Sequence, residues 1–357
     1  MTQRHRAVWV STSVETRGGI ATFVRTMRQT RLWSDWEILH IATHRDGSIF
    51  LRVLTFVRGA VTFVSTLVVD RPDVVHLHTA SYGSFLRKAV LLWISRVAGV
   101  PVVVHVHGAE FEQFHDRCPR VVRRVIRETL EHANVVVALG DSWRCKLARI
   151  APSARIVVVP NSVRPRLLVP QSGEHDCVHV AFLGRVGKRK GVFVLLEAWA
   201  KVLADGGGGG RALLTIAGDG EVERARCRVS ELGLHDSVTV LGWLPPQRAA
   251  QLLDRSQVFV LPSLDEGQPM AVLEAMARGI CIVASDAGGI PDLIDDTCAV
   301  VVPAGDVDAL TVALRRVLSD RDGRSRLGRS AWTRASTDFD VDVISRRFDA
   351  LYREVQR

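Results

Sequence analysis

The chain is poor in what several classes of protein need. Six cysteines stand among 357 residues, at 118, 145, 177, 227, 281 and 298, and no two form a C-x-x-C pair. That excludes a disulfide framework and a zinc ribbon. Aromatic residues make up 6%, with only 2 tyrosines, and no candidate strand clusters Phe and Tyr. The stacking surface of an RNA-binding module is therefore missing, and no helix-turn-helix or zinc-finger pattern replaces it. No G-x-G-x-x-G follows a candidate strand. Gly218-Asp219-Gly220 runs on into Glu221-Val222-Glu223, which puts acid where a dinucleotide's pyrophosphate would lie. Long apolar runs are scarce too. The longest, residues 59–69 between Arg58 and Asp70, is about half of the ~20 residues a bilayer span takes. Near the N-terminus only residues 7–10 are continuously apolar, too few for a signal-peptide core. The expectation is a cytoplasmic protein.

The 47% hydrophobic and 24% charged content is that of a globular chain, and the length suits about two domains. Net charge is +9 and the pI about 9.8, which calls for an anionic partner: nucleic acid, an anionic membrane or a phosphorylated ligand. The surplus is uneven. Residues 1–170 hold 24 Lys+Arg and 12 Asp+Glu, whereas residues 171–357 hold 23 and 26. Such asymmetry indicates halves that face different partners.

Short β-branched runs alternate with longer helical patterns, which means β-α-β units and parallel sheets. Strands are predicted at 7–11, 37–41, 74–78, 102–107, 135–138 and 156–160. A second set is predicted at 178–183, 212–217, 237–241, 258–262, 280–284 and 299–302. Runs such as VVVHVH and QVFVLP suit strands buried on both faces. The fold class is α/β with two doubly wound domains, an N-terminal one over 1–166 and a C-terminal one over 177–338. Pro and Gly in 167–176 mark a linker. The five glycines at 206–210 read as a flexible surface loop. Residues 339–357 form a last helix with Ile344, Phe348, Leu351 and Tyr352 on one face. Spacing leaves open which domain that face covers.

The densest chemistry lies in 263–294, SLDEGQPMAVLEAMARGICIVASDAGGIPDLI. A strand ends at 262, a loop carries Glu266 and Gly267, and Pro269 suits a helix start. Glu274 then falls inside that helix. Two carboxylates eight residues apart flank a helix N-terminus at the C-terminal edge of a parallel sheet, where open α/β sheets bind ligands. Free N–H groups there favour anionic oxygens, and carboxylates accept hydrogen bonds from sugar hydroxyls. Taken alone, such a pair is more often a solvated loop and an exposed helix residue.

The wording of the segment, EGQPM-x-x-LEAMA-x-G, resembles the E-x7-E motif of retaining glycosyltransferases of family 4, particularly bacterial polysaccharide-assembly members. Further pieces fall in the family's order: Arg17-Gly18-Gly19-Ile20, PDVVHLH (72–78), VVVHVHGAEF (102–111), VVVPNSV (157–163), FLGRVGKRKG (182–191), IAGDGE (216–221), VLGWL (240–244) and AGGIPDLI (287–294). The resemblance implies the GT-B fold, two Rossmann-like domains facing a central cleft. It also implies front-face transfer of a hexose from a nucleotide-sugar, with no cofactor and no metal.

The resemblance further implies residue roles. Arg185 and Lys190 match the cations that bind the donor diphosphate, and Arg can grip phosphate oxygens bidentately. Glu274 matches the ribose-binding glutamate and Glu266 the one near the transferred sugar. Gly267 and the backbone N–H groups of Gln268, Met270 and Ala271 approach the sugar or phosphate. Gln268 and Pro269 replace the family's usual glycine or phenylalanine, which leaves the sugar unnamed. Gly18 and Gly19 form a turn that lets backbone approach the donor phosphate. His107 matches the active-site histidine, expected to hydrogen-bond a sugar hydroxyl or accept a proton near pH 7.

Two H-x-H pairs, His76/His78 and His105/His107, have the ligand chemistry of zinc. Buried strand histidines with internal partners are the expectation instead. Two D-x-D triplets, at 306–308 and 340–342, are read as helix caps rather than cation ligands.

Several helices of the first half carry arginine beside apolar residues. Residues 118–133 place Arg120, Arg123, Arg124 and Arg127 opposite Val122, Val125, Ile126 and Leu130. Residues 48–69 carry Arg52 and Arg58, and residues 85–100 carry Arg87, Lys88 and Arg96. Such helices suit an anionic membrane surface and a lipid-linked glycan acceptor. Nucleic acid is not expected as a partner. Two other readings are another sugar-nucleotide enzyme of the fold, such as an epimerase, and a basic nucleic-acid-binding protein on the same scaffold.

Overall fold

A computed structural model describes residues 5–171, 177–204 and 212–356. The five-glycine run and residues 172–176 of the expected linker lie outside the described residues. The β-branched runs form two six-stranded parallel sheets. The first contains β1 (Ala7–Ser11), β2 (Leu39–Ala42), β3 (Val74–Thr79), β4 (Val102–Val106), β5 (Val135–Ala138) and β6 (Ile156–Val158), in the order β2-β1-β3-β4-β5-β6. The second contains β7 (Val178–Leu183), β8 (Ala212–Ala217), β9 (Val238–Leu241), β10 (Val258–Leu261), β11 (Cys281–Ser285) and β12 (Val300–Val302), in the order β12-β11-β10-β7-β8-β9. In each sheet the chain winds one way and then reverses. The reversal falls between β1 and β3 in one and between β7 and β10 in the other.

The period of two along β1 explains the two-sided burial. Val8 and Val10 pack into one apolar cluster with Ile41, Val75 and Val104. Ala7 and Trp9 pack on the opposite face with Val74, Val103 and Val135. This second face is closed by the last helix, Val341–Val355, whose Ile344, Phe348, Leu351 and Tyr352 are all buried. Trp36 Nε1 donates to Asp349 Oδ1 at 2.8 Å, and the Trp36 and Tyr352 rings meet edge to face at 5.0 Å.

Two compact units result, Met1–Ser162 with Val341–Arg357 and Val163–Asp340. The boundary therefore falls earlier than the predicted 166. Residues 163–169 belong with the second unit, because their N–H groups bond its carbonyls: Val163 to Phe339, Arg166 to Ala277 and Val169 to Arg278. With the last helix counted in the first unit, the charges are +11 and −2.

Three helix expectations change. The apolar segment continues through Arg52 and Arg58 as one 21-residue helix, Ile49–Val69, with a window of mean hydropathy 1.6 that is only 22% buried. By length and composition it is long enough to cross a membrane, yet Gly59, Phe63, Thr66 and Leu67 seat it on the unit. Val125 is 43% exposed, so the inner face of helix Arg120–Glu131 is narrower than its pattern suggested and rests on Ile126 and Leu130. Lys88 is buried rather than displayed on its helix, Gly83–Val97. The cap reading holds for Asp306, whose Oδ1 accepts from the Ala309 N–H at 2.9 Å.

Phe348 is wholly buried, so Phe348→Ala is expected to lower stability by about 3–5 kcal/mol. Urea unfolding measures it, and a change near zero would remove the last helix from the first unit's core.

Candidate active site

The second unit gathers its charged loops at the carboxyl ends of β7 and β10, the neighbouring strands at which strand order reverses. That crevice is where open α/β sheets take ligands. Lys190 follows β7 and Glu266 follows β10. The Lys190 ammonium is bonded to Glu266 Oε1 across the crevice, and Ser263 Oγ donates to the same oxygen at 2.7 Å. Arg189 Nη1 lies 3.9 Å from Glu266 Oε2 and donates to the Asp265 carbonyl at 2.9 Å. Glu266 is 4% exposed, so this carboxylate is held by bonds rather than by water.

Backbone contacts lock these two loops together and to the loop after β11. A Cβ on Gly191, at φ +71°, would stand 1.8 Å from the Pro262 carbonyl oxygen. One on Gly288, at φ +58°, would stand 2.0 Å from the Glu266 oxygen. Only glycine permits both the left-handed backbone and the close approach. The Gly289 N–H then donates to that Glu266 carbonyl at 3.0 Å.

Around this pair, Gly267 and Gln268 are buried in the turn, and Met270 and Ala271 open helix Met270–Met276. Their N–H groups belong to the first turn, where no carbonyl of the helix itself is available. Glu274 stands half-buried on the second turn. Arg185 is exposed and forms no ion pair with the described residues. Its neighbour Val186 ties the loop to the one after β8, its N–H donating to the Asp219 carbonyl at 2.6 Å.

The remaining predicted residues lie in the first unit. Gly18 precedes helix Gly19–Met27 after β1, at φ +128°. His107 follows β4, and its N–H donates to the Thr79 carbonyl at 2.8 Å. Its Nε2 is 3.1 Å from His78 Nδ1, and its ring lies 3.9 Å from that of His105. Burial pushes the His107 imidazole down to about 3. The expectation that it accepts a proton near pH 7 is therefore corrected: burial keeps the ring uncharged at neutral pH. The expectation of internal partners is also corrected in part. His76 Nδ1 bonds the Tyr352 hydroxyl, but neither ring nitrogen of His105 has a partner among the described residues. One ring nitrogen each of His76, His78 and His105 lies within 4.8 Å of the others.

Two family models match in tandem. One, described as a glycosyl transferase 4-like domain, matches residues 3–162, and one described as glycosyl transferases group 1 matches residues 171–334. The chain belongs to this glycosyltransferase family. It is 32% identical over 234 residues to the MMP alpha-(1->4)-mannosyltransferase of Mycolicibacterium hassiacum, a match that takes in 65% of this chain and 56% of that protein. It is 28% identical over 224 residues to the amylovoran biosynthesis glycosyltransferase AmsK of Erwinia amylovora, 60% of this chain and 54% of that one. The chain thus spans little more than half the length of the curated relatives it matches. Among solved structures, Anabaena HepE in complex with UDP-glucose superposes with TM-score 0.76 at 17% identity, covering 98% of this chain and 99% of that one. The two doubly wound units are those of the GT-B class.

In this member of the family, sequence reasoning missed Ser263 and Arg189 as partners of Glu266. The one signal for them is position, since each lies in a loop that leaves a switch-point strand. It also missed the direct Lys190–Glu266 bond, which joins residues 76 apart.

The four histidines make the fold acid-labile. All four are lowered, His76, His78 and His105 well below the ordinary value, first by burial and then by one another. The unfolded chain protonates near 6.5 while the native one does not. Stability is therefore full above pH 6.5 and lost as pH falls below it, by up to ~1.4 kcal/mol per pH unit for each histidine. Urea midpoints between pH 7.5 and 5 should show this slope, and His105→Leu should flatten it. Equal slopes in both proteins would contradict the account.

Proposed function

We propose that this family member is a retaining hexosyltransferase that moves a sugar from a nucleotide-sugar to a lipid-linked glycan in exopolysaccharide or lipopolysaccharide assembly. The observation that carries the reading is the Lys190–Glu266 pair at the switch point of the second unit, with Arg185 and Arg189 in the same loop as Lys190. Two cations beside one buried carboxylate, with the exposed Arg185 in the same loop, suit a ligand with a diphosphate at one end and hydroxyls at the other. A named relative in amylovoran biosynthesis and a structural neighbour holding UDP-glucose support the same donor and product classes.

In this mechanism the donor diphosphate competes with Glu266 for the Lys190 ammonium. Arg185 adds a bidentate grip. As the glycosidic bond to the diphosphate lengthens, these cations stabilise the charge that develops on the leaving oxygen. Glu266, released from Lys190, accepts a hydrogen bond from a hydroxyl of the sugar. Glu274 holds the ribose, and the N–H groups of Gln268, Met270 and Ala271 fix the sugar's orientation. His107 contributes as a neutral ring, hydrogen-bonding the sugar without taking its proton. Gly18 and Gly19 leave room for the donor phosphate. No cofactor or metal enters the reading, because the side-chain cations already supply the charge.

The acceptor is assigned to the basic first unit, which works at the inner face of a membrane. Exposed apolar residues on helix Ile49–Val69 and arginines on helix Arg120–Glu131 provide the matching surface. An anionic bilayer is thus a partner and nucleic acid is not.

With radiolabelled nucleotide-sugar and a lipid-linked acceptor, Arg185→Ala/Lys190→Ala is expected to lower kcat/KM by about 100-fold or more. Circular dichroism checks that the variant is folded. Undiminished transfer by the folded variant would overturn the diphosphate assignment.

A further inference from the structure

Lys88 is a buried cation of the first unit that the proposed mechanism does not use. It is 3% exposed, and its Nζ donates to Thr43 Oγ1 at 2.7 Å. An ammonium carries three N–H donors, and no other bond to it is present among the described residues. A buried ammonium without a carboxylate is costly. Burial, with the Arg87 charge added, pushes Lys88 down to about 7.

Further cations surround it. Arg87, on the same helix, has a buried Nε without a partner among the described residues. Arg52, on helix Ile49–Val69, is close enough for its charge to lower Arg87 further. His44, next to Thr43, is lowered by burial and then by Arg87, Arg52 and Lys88, while Asp46 opposes them. Asp46 is the acid at this cluster, and its Oδ2 accepts the Arg17 N–H at 3.1 Å. Neither Arg52, Arg87 nor Lys88 forms an ion pair among the described residues. The cluster lies where β2 ends and where helices Ile49–Val69 and Gly83–Val97 begin, at the carboxyl edge of the sheet.

Apolar side chains on the same two helix starts stand in solvent: Ile49 is 80% exposed, Phe50 73%, Val53 59% and Leu86 47%. A cationic pocket edged by bare aliphatic surface fits a ligand that has both an anionic head and a hydrocarbon tail.

We infer that Lys88, Arg87 and Arg52 form a binding site for the phosphate or diphosphate of a lipid-linked acceptor, with the exposed start of helix Ile49–Val69 receiving the first part of its hydrocarbon chain. The inference rests on the reading of the protein as a transferase with a lipid-linked acceptor, and it locates that acceptor's anionic group. Thr43 positions the lysine, and the diphosphate replaces the missing carboxylate.

Calorimetric titration of the full chain with farnesyl diphosphate, inorganic diphosphate and farnesol tests it. Farnesyl diphosphate is expected to bind at least tenfold more tightly than either of the others. Arg52→Gln/Arg87→Gln should weaken it at least tenfold, and Arg185→Ala/Lys190→Ala should leave it in place. Lys88→Met, checked for folding by circular dichroism, provides a second variant with the same expected loss. Equal binding of inorganic diphosphate would overturn the lipid part, and equal binding of farnesol the anionic part. If binding survives the first-unit variants and is lost with Arg185→Ala/Lys190→Ala, the site is wrong while the donor reading stands. If the unaltered chain binds farnesyl diphosphate but transfers no sugar from any nucleotide-sugar, the proposed function falls and an anionic lipid site remains.

Discussion

The bond between Lys190 and Glu266 holds the second unit's ligand crevice in shape. It joins two loops that leave adjacent parallel strands and would otherwise diverge. Glycine lets the loops close up: Gly191, after β7, lacks a Cβ that would overlap the Pro262 carbonyl oxygen, and Gly288, in the loop after β11, lacks one that would overlap the Glu266 carbonyl oxygen. Ser263 shares the same carboxylate oxygen and Arg189 approaches the other, so three side chains and the Gly288 backbone converge on one buried acid. A pair of this kind contributes little net stability, because desolvating both charges offsets most of their attraction. In the proposed mechanism its value lies in specificity: it holds a cation ready for the donor diphosphate and a buried carboxylate ready for the sugar's hydroxyls.

The first unit solves a different problem. Its sheet is closed on one face by a helix from the far end of the chain, so that Phe348 and Tyr352 pack beside Trp9 and Trp36. Four histidines sit against this aromatic layer and are kept neutral by burial. On the other side of the unit a buried lysine and two arginines lack carboxylate partners among the described residues. A neutral, hydrogen-bonding interior thus stands a few strands away from an anion-seeking edge.

Much of this was legible in the residues. Val-rich runs of four to six residues fixed the strands, since a strand buried on both faces has no polar alternation to blur it. Glu266, Glu274 and Lys190 were visible as charged residues just after strands. What periodicity could not show is where a face packs. The apolar stripe of Ile344 and Phe348 reads the same whichever unit it covers, and Lys88 reads as one basic residue among several until its helix is seated. Long-range pairing was equally hidden, because nothing local to Lys190 names Glu266. The titration of His107 depends on its burial beneath neighbouring strands, which the H-x-H spacing does not carry.

In the proposed mechanism Lys190 is shared between Glu266 and the donor diphosphate. Calorimetric titration of UDP into Lys190→Met and Glu266→Gln tests this most directly. Lys190→Met should bind UDP at least tenfold more weakly, whereas Glu266→Gln should bind it as tightly as the unaltered chain or more so, because the competing carboxylate charge is gone. If Glu266→Gln weakens UDP as much as Lys190→Met does, the two residues act as one structural brace and the shared-lysine account is wrong.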